Sequence, residues 1–361
     1  IYPRERLFRG TDHGKNGLNK FCVRHNQPDA KGRAFQRKEG RVLIMTWEHK
    51  AKLTTFLKKN ISLLAFVILF ILFSLTCNGK FLTVSNLLTI GGSAMDLLIV
   101  AMGATFIILL GSIDLSAGSM MALCGVLTAK LFAKTGSTIL TLIIVMAVSM
   151  LIYLMQGLAH TRLKVPTFIV TLGFLSIARA SATMISGGTN TSIPFTSSLK
   201  IYLGLKPWIL IIGFGVFFIC LLIEKFTLFG RYTKLVGGDE IVAKLSGLNV
   251  DKIKLKVFMF AGLLTGLGAV VMAARMGSGS PSVGDGYELD VISAVVLGGT
   301  SQRGGIGGVR GTLIGVLTLK MLANGLVLWG LSSEIQLFIK GLILIMAVFV
   351  SQERSRNMVV K

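Results

Sequence analysis

Residues 86–119 read NLLTIGGSAMDLLIVAMGATFIILLGSIDLSAGS. Positions 86–111 carry one charge, Asp96, and exceed the ~20 apolar residues that a helix needs to cross a bilayer. The run then breaks at Gly111-Ser112-Ile113-Asp114-Leu115-Ser116-Ala117-Gly118-Ser119 and resumes as a second apolar stretch over 115–133. In hydrocarbon every backbone N–H and C=O has to be satisfied internally, so such runs are helices. Two of them joined by a short polar turn predict a hairpin inside a membrane.

Working outward, the pattern repeats. Asn60–Gly79, Thr135–Ala159, Pro207–Ile223 and Val257–Ala274 hold no charge at all. Residues 166–186 carry Arg179, 309–329 carry Lys320 with Arg310 at the edge, and 334–351 carry Lys340. The stretch 288–301 has room for only half a span. The expected fold is an all-α polytopic membrane protein with about ten helices, some broken or half-length. Composition agrees: of 361 residues 52% are hydrophobic and only 15% charged, against about 25% charged in a soluble domain. Mean hydropathy is +0.73.

The formal net charge of +22 by itself suggests nucleic acid. Its distribution gives another reason. Residues 1–44 hold 11 Lys+Arg and 4 acidic residues with no apolar period, which reads as a disordered basic tail. Met45 precedes the first apolar run and is the expected natural start, leaving 45–361 as the membrane domain. With the N-terminus in the cytoplasm, 18 of the later Lys and Arg fall inside. Six fall outside: Lys80, Lys130, Lys134, Lys200, Lys206 and Arg275. This is the positive-inside bias; it places both termini and a long loop, 227–254, in the cytoplasm.

The sequence lacks G-x-x-x-x-G-K-[ST], H-E-x-x-H and C-x-x-C. Cys22, Cys77, Cys124 and Cys220 are scattered, and three of the four His precede the first span. Neither a catalytic constellation nor a metal site is expected, and the 42 Gly suit close helix packing.

Three motifs remain. In the first, Asp114 and Ser116 either cap the following helix or form a gate at the inner end of a path. The second is Gly237-Gly238-Asp239-Glu240-Ile241-Val242-Ala243-Lys244-Leu245-Ser246-Gly247-Leu248. It predicts a short helix with Asp239 as N-cap, a Glu240–Lys244 pair and Gly247 as stop. Ile241, Leu245 and Leu248 share one face. A helix this short needs a partner, either membrane or protein. The third, Gly286-Tyr287-Glu288-Leu289-Asp290 followed by glycine clusters to Gly308, is a broken span that lines a path or packs tightly. Intramembrane charges are functional candidates, so Asp96 and, as a neutral pore residue, Asn324 join Glu288 and Asp290 as path candidates.

In this order and spacing the motifs resemble the permease subunits of bacterial ABC importers for ribose and related sugars. The likeness rests on Ile113-Asp114-Leu115-Ser116, on 231–250 with Leu245-Ser246-Gly247, and on 286–301 followed by Gly311-Thr312-Leu313-Ile314-Gly315. It covers about 46–355. The resemblance implies an inner-membrane transport subunit, not an enzyme, that needs no cofactor of its own. ATP is bound by a separate cytoplasmic ATPase. An external sugar-binding protein and a second permease copy complete the assembly, with the bilayer as surroundings and no nucleic acid. It makes Gly237, Gly238, Asp239, Glu240, Ala243, Leu245, Ser246 and Gly247 the segment that couples to the ATPase. Ribose or a related pentose is the expected cargo. The alternatives are a hexose, a furanosyl signal molecule or a nucleoside. More remote is an ion-driven transporter with Asp96 as its coupling carboxylate.

Overall fold

The computed structural model describes residues 61–359; the basic segment 1–44 and the start expected at Met45 lie outside the described residues. The described residues are helical almost throughout. In order come α1 (Ile61–Thr76), α2 (Val84–Leu109), α3 (Ala117–Thr135), α4 (Thr138–Arg162) and α5 (Thr167–Ser186). After a five-residue π-helix, Lys200–Gly204, follow α6 (Trp208–Phe226), α7 (Leu228–Gly238), α8 (Glu240–Leu245) and α9 (Val250–Met276). The last three are α10 (Tyr287–Leu297), α11 (Val309–Leu328) and α12 (Ser333–Val359). A two-residue antiparallel pair, β1 (Thr191–Ser192) with β2 (Ser278–Gly279), ties two loops with Thr191 opposite Gly279.

Each of the ten expected apolar runs coincides with a helix. Among the described residues seven helices (α2, α3, α4, α5, α6, α9 and α11) are long and apolar enough to cross a membrane, and α10 is the half-length element with 11 residues. Two boundaries differ from expectation. Residues 250–254, read as loop, are the first turns of α9, which Asn249 caps by accepting from the Lys252 N–H. The remaining loop is not open chain: α7 fills half of it, so Gly237 and Gly238 close α7 rather than open α8.

Local chemistry sets the ends. Thr83 and Ser137 accept from backbone N–H groups in the first turns of α2 and α4, satisfying donors that have no partner within the helix. Gly136, Gly187 and Gly277 end α3, α5 and α9 in left-handed conformations.

α2 is the axis of the bundle. From Ala94 through Leu109 every residue is buried, and α9, α11, α6 and α10 pack around it. The outer helices reverse the usual rule. Ile143 and Leu151 on α4, Ile177 on α5 and Phe218 and Ile219 on α6 are all more than half exposed. Such apolar surface suits lipid, not water.

Between helices in lipid there is little hydrophobic drive, so small residues and polar contacts hold them together. The most extensive pairing is α4 with α9. Gly262 and Gly266, four residues apart, let Tyr153, Met150, Met146 and Ser149 lie against the α9 backbone. Ser149 Oγ donates to the Gly262 carbonyl at 2.7 Å. A Cβ at Gly262 would sit 2.6 Å from Tyr153 Cβ. We therefore expect Gly262→Leu to destabilise the protein by about 1–3 kcal/mol through overpacking. Gly173→Leu, at a site with open space, is expected to be close to neutral. Thermal melting of the detergent-solubilised protein, followed by size-exclusion chromatography, compares the two.

Candidate functional site

The three sequence motifs meet at one end of the bundle. There the last carbonyl of α2, Leu109, accepts from the Gly305 N–H at 2.9 Å. Gly237 presses against that same carbonyl and against Gly305, so closely that a Cβ at 237 would occupy the carbonyl's place. Gly304 abuts the Gly237 carbonyl, and Gly111 lies against the Arg303 carbonyl. Three segments far apart in sequence thus touch backbone to backbone, a contact that any side chain at 237 would block.

From Gly238 the chain passes into α8. Asp239 caps it as expected, its Oδ1 accepting from Ile241 N at 2.9 Å and Val242 N at 3.0 Å. Glu240 pairs with Lys244 at 2.8 Å and with Lys254 of α9 at 2.8 Å. Hydrogen bonds from Lys244, then from Lys254, hold the Glu240 carboxyl down at about 2, from an ordinary 4.5. The same pairing raises Lys244. Ala243 faces inward, while Ile241, Val242 and Leu245 are 71%, 57% and 83% exposed. Ser246 bonds back to the Val242 carbonyl. Gly247, at φ +81°, reverses the chain and turns Leu248 toward the core. Leu248 therefore leaves the face that sequence periodicity shared among Ile241, Leu245 and Leu248.

Asp114 is enclosed beside the first motif's turn. One carboxylate oxygen accepts from the N–H of Ser116 at 2.8 Å and from its hydroxyl at 2.7 Å; the other accepts from Tyr153 Oη at 2.6 Å. Thr265 donates on to Tyr153, and Gln156 Nε2 donates to Ser116 Oγ at 2.9 Å. Ser116 stands at the N-cap of α3 but makes no side-chain cap bond, because its hydroxyl is turned to Asp114. Gly118, at the far side of this motif, lies against the Glu288 carboxylate and the Gly284 carbonyl. This contact joins the first motif to the third.

The other candidates lie elsewhere. Asp96 is fully buried and bound by Arg275 of α9 through Nη2 at 2.6 Å and Nε at 3.1 Å. Asp290 of α10 accepts from Lys340 of α12 at 3.0 Å. Asn324 exchanges two amide hydrogen bonds with Asn86, at 3.0 and 2.9 Å, joining α11 to α2. Arg179 donates to the Pro281 and Val283 carbonyls and pairs with Asp285 at 2.7 Å. It holds the loop that leads into α10.

Sequence reasoning missed several residues here. Tyr153 and Gln156 lie within an uninterrupted apolar run, and nothing local marks them as partners of Asp114. Arg275 reads as an ordinary loop charge. Glu224 reads as the polar end of a span. The structure places it at a junction of α6, α7 and α11.

Comparison with known proteins identifies the family. Residues 86–348 match the family model described as branched-chain amino acid transport system / permease component. The ribose import permease protein RbsC of Escherichia coli K12 is 35% identical over 307 residues, covering 83% of this chain and 95% of RbsC. The L-arabinose ABC transporter permease protein AraH of Azospirillum brasilense is 35% identical, covering 81% of this chain and 86% of AraH. The xylose transport system permease protein XylH of Haemophilus influenzae is 28% identical over 84% of this chain and 98% of XylH. No solved structure matches. This chain's apolar helices are those of a multi-pass membrane protein, and the chain belongs to the family of transport-system permease components.

Proposed function

We propose that this chain is the membrane subunit of an ATP-driven importer of monosaccharides, with pentoses as the cargo. It works in the bacterial inner membrane with both termini in the cytoplasm. The observation that carries the reading is α8. It is capped at Asp239, braced to α9 by Glu240–Lys254, and presents Ile241, Val242 and Leu245 to solvent. A six-residue helix has no stability of its own. Bracing it so that apolar side chains project outward makes sense where another protein receives them. A separate cytoplasmic ATPase fits that role, since this chain has no phosphate-binding loop. In this reading Gly237, Gly238, Ala243, Ser246 and Gly247 shape the docking segment and Leu245 is its most exposed anchor.

Movement of α8 on ATP binding has a direct route inward. Gly237 bears on the end of α2 and on Gly305 ahead of α11, so a shift of the docking helix displaces the first and third motifs together. Differential contacts of this kind are what bias an alternating-access equilibrium. An external solute-binding protein supplies the sugar, and a second permease copy supplies the facing wall of the path.

The cargo follows from the relatives: the three described above are named for ribose, arabinose and xylose, all pentoses. The family description names branched-chain amino acids and supplies the second reading. Uptake of labelled ribose, arabinose, xylose and leucine by the reconstituted complex separates the two. An ion-coupled mechanism through Asp96 has less support, because that carboxylate is enclosed and bound to Arg275.

Leu245→Asp is expected to reduce uptake to background while membrane insertion stays normal, because the carboxylate would be desolvated on docking. Uptake in cells against chain abundance in membranes checks it. Glu240 makes a second expectation. A carboxyl held low in the folded state contributes its full stabilisation above its unfolded value near 4.5, and that contribution declines below it and is gone once pH has fallen through about 2. Amide exchange in 241–247, corrected for intrinsic rates, is therefore expected to show constant protection between about pH 5 and 8. Glu240→Gln is expected to raise exchange there at neutral pH.

A further inference from the structure

Glu224 stands one turn from the end of α6 and binds two other helices at once. Its Oε1 accepts from Lys234 Nζ of α7 at 2.6 Å. Its Oε2 accepts from the N–H of Val309, the first residue of α11, at 2.9 Å. The carboxylate-bearing side chain is only 10% exposed. Both bonds are charge-assisted, and the N-terminus of a 20-residue helix favours an anion beside it. The fit depends on Gly308, whose φ is +154°: a Cβ there would fall on Glu224 Oε1. A Cβ on Gly230 would likewise collide with the Glu224 backbone, so the first turn of α7 is seated on the end of α6.

This junction borders a cavity of about 350 Å³, whose walls include Lys225, Arg310, Gly298 and Gly311. The clasp therefore lies beside open space rather than in the packed core. α7 is also the stem on which α8 hangs. The Gly237 contact with Leu109 and Gly305 is repulsive packing and transmits only a push. A bonded carboxylate between α7 and α11 can also transmit a pull.

We propose that Glu224 is a positioning residue of the transport cycle, clasping α7 to the N-terminus of α11 so that α11 follows the docking helix in both directions. This rests on the reading of α8 as the helix that docks on the ATPase. Lys234 and Gly308 are the parts of the clasp that Glu224 requires.

The test is sugar uptake per ATP hydrolysed, measured with the full chain, its ATPase and its solute-binding protein in proteoliposomes. Glu224→Gln retains an acceptor for Val309 N but loses the charge facing Lys234. Uptake per ATP is expected to fall about tenfold, while ATP hydrolysis by the partner falls less than about twofold. Lys234→Met, which leaves the α11 cap in place, is expected to lower the ratio in the same way. The exchange Glu224→Lys with Lys234→Glu restores an ion pair but puts a cation at the start of α11, and is expected to stay uncoupled. A wild-type ratio in Lys234→Met or in Glu224→Gln overturns the proposal, as does full rescue by the exchange. If Glu224→Gln loses folded protein, Lys234→Met decides by the same ratio. Failure of the wild-type chain to co-purify with the ATPase counts against the docking reading instead, and is seen before any variant is made.

Discussion

An ionised carboxylate enclosed midway along a membrane-length helix has to be paired, and much of the bundle is arranged around that demand. Asp96 lies about 18 Å along α2 from its start. A lone acid at such a position costs about 3 kcal/mol on insertion scales. Its partner, Arg275, comes from the last turn of α9. To deliver it, α9 must run for 27 residues in close register with α2. Small residues make that possible: Gly103 faces Ala261 at contact distance, and Gly268 receives Val100. The ion pair sets the register, and the small residues let the backbones approach closely enough to use it.

The two ends of the bundle are then joined differently. Toward the Arg275 end, helices are linked by long charged side chains: Asp96–Arg275, Asp290–Lys340, Arg179–Asp285. The α7–α8 end has ion pairs of its own, Glu224–Lys234 and Glu240–Lys254, and adds a joint of glycine backbone on backbone at Gly237, Gly304 and Gly111. Backbones that touch without intervening side chains leave little room to absorb a shift. On the proposed reading, the end that carries the docking helix is the one where backbones meet without intervening side chains.

What the sequence made legible follows from the range of the forces involved. The ten apolar runs are a property of composition over about 20 residues, and each is a helix. The cap at Asp239, the Glu240–Lys244 pair and the stop at Gly247 act within a turn or two, and all three are present. α7 escaped notice because Arg231 and Lys234 dilute its apolar signal. The early start of α9 was masked in the same way by Asp251, Lys252, Lys254 and Lys256, although Asn249 carried the cap. The pairs Asp96–Arg275 and Asp114–Tyr153 are separated by 179 and 39 residues. No local pattern links such partners; only the packing of α2 with α9, and of α3 with α4, brings them together.

The same packing bears on where a sugar travels. Asp96, Asp114 and Ser116 use their polar atoms on neighbours inside the chain, which leaves little for a passing hydroxyl. A solute with several hydroxyl groups needs polar surface that remains wet. Glu288 is partly exposed, against Gly118 at the start of α3. Asn324 is also partly exposed, though bonded to Asn86. Both lie toward the surface of a bundle whose centre, α2, is sealed. On the proposed reading, a path bounded by such residues runs along one side of this chain rather than through it, and a second permease copy closes the other side.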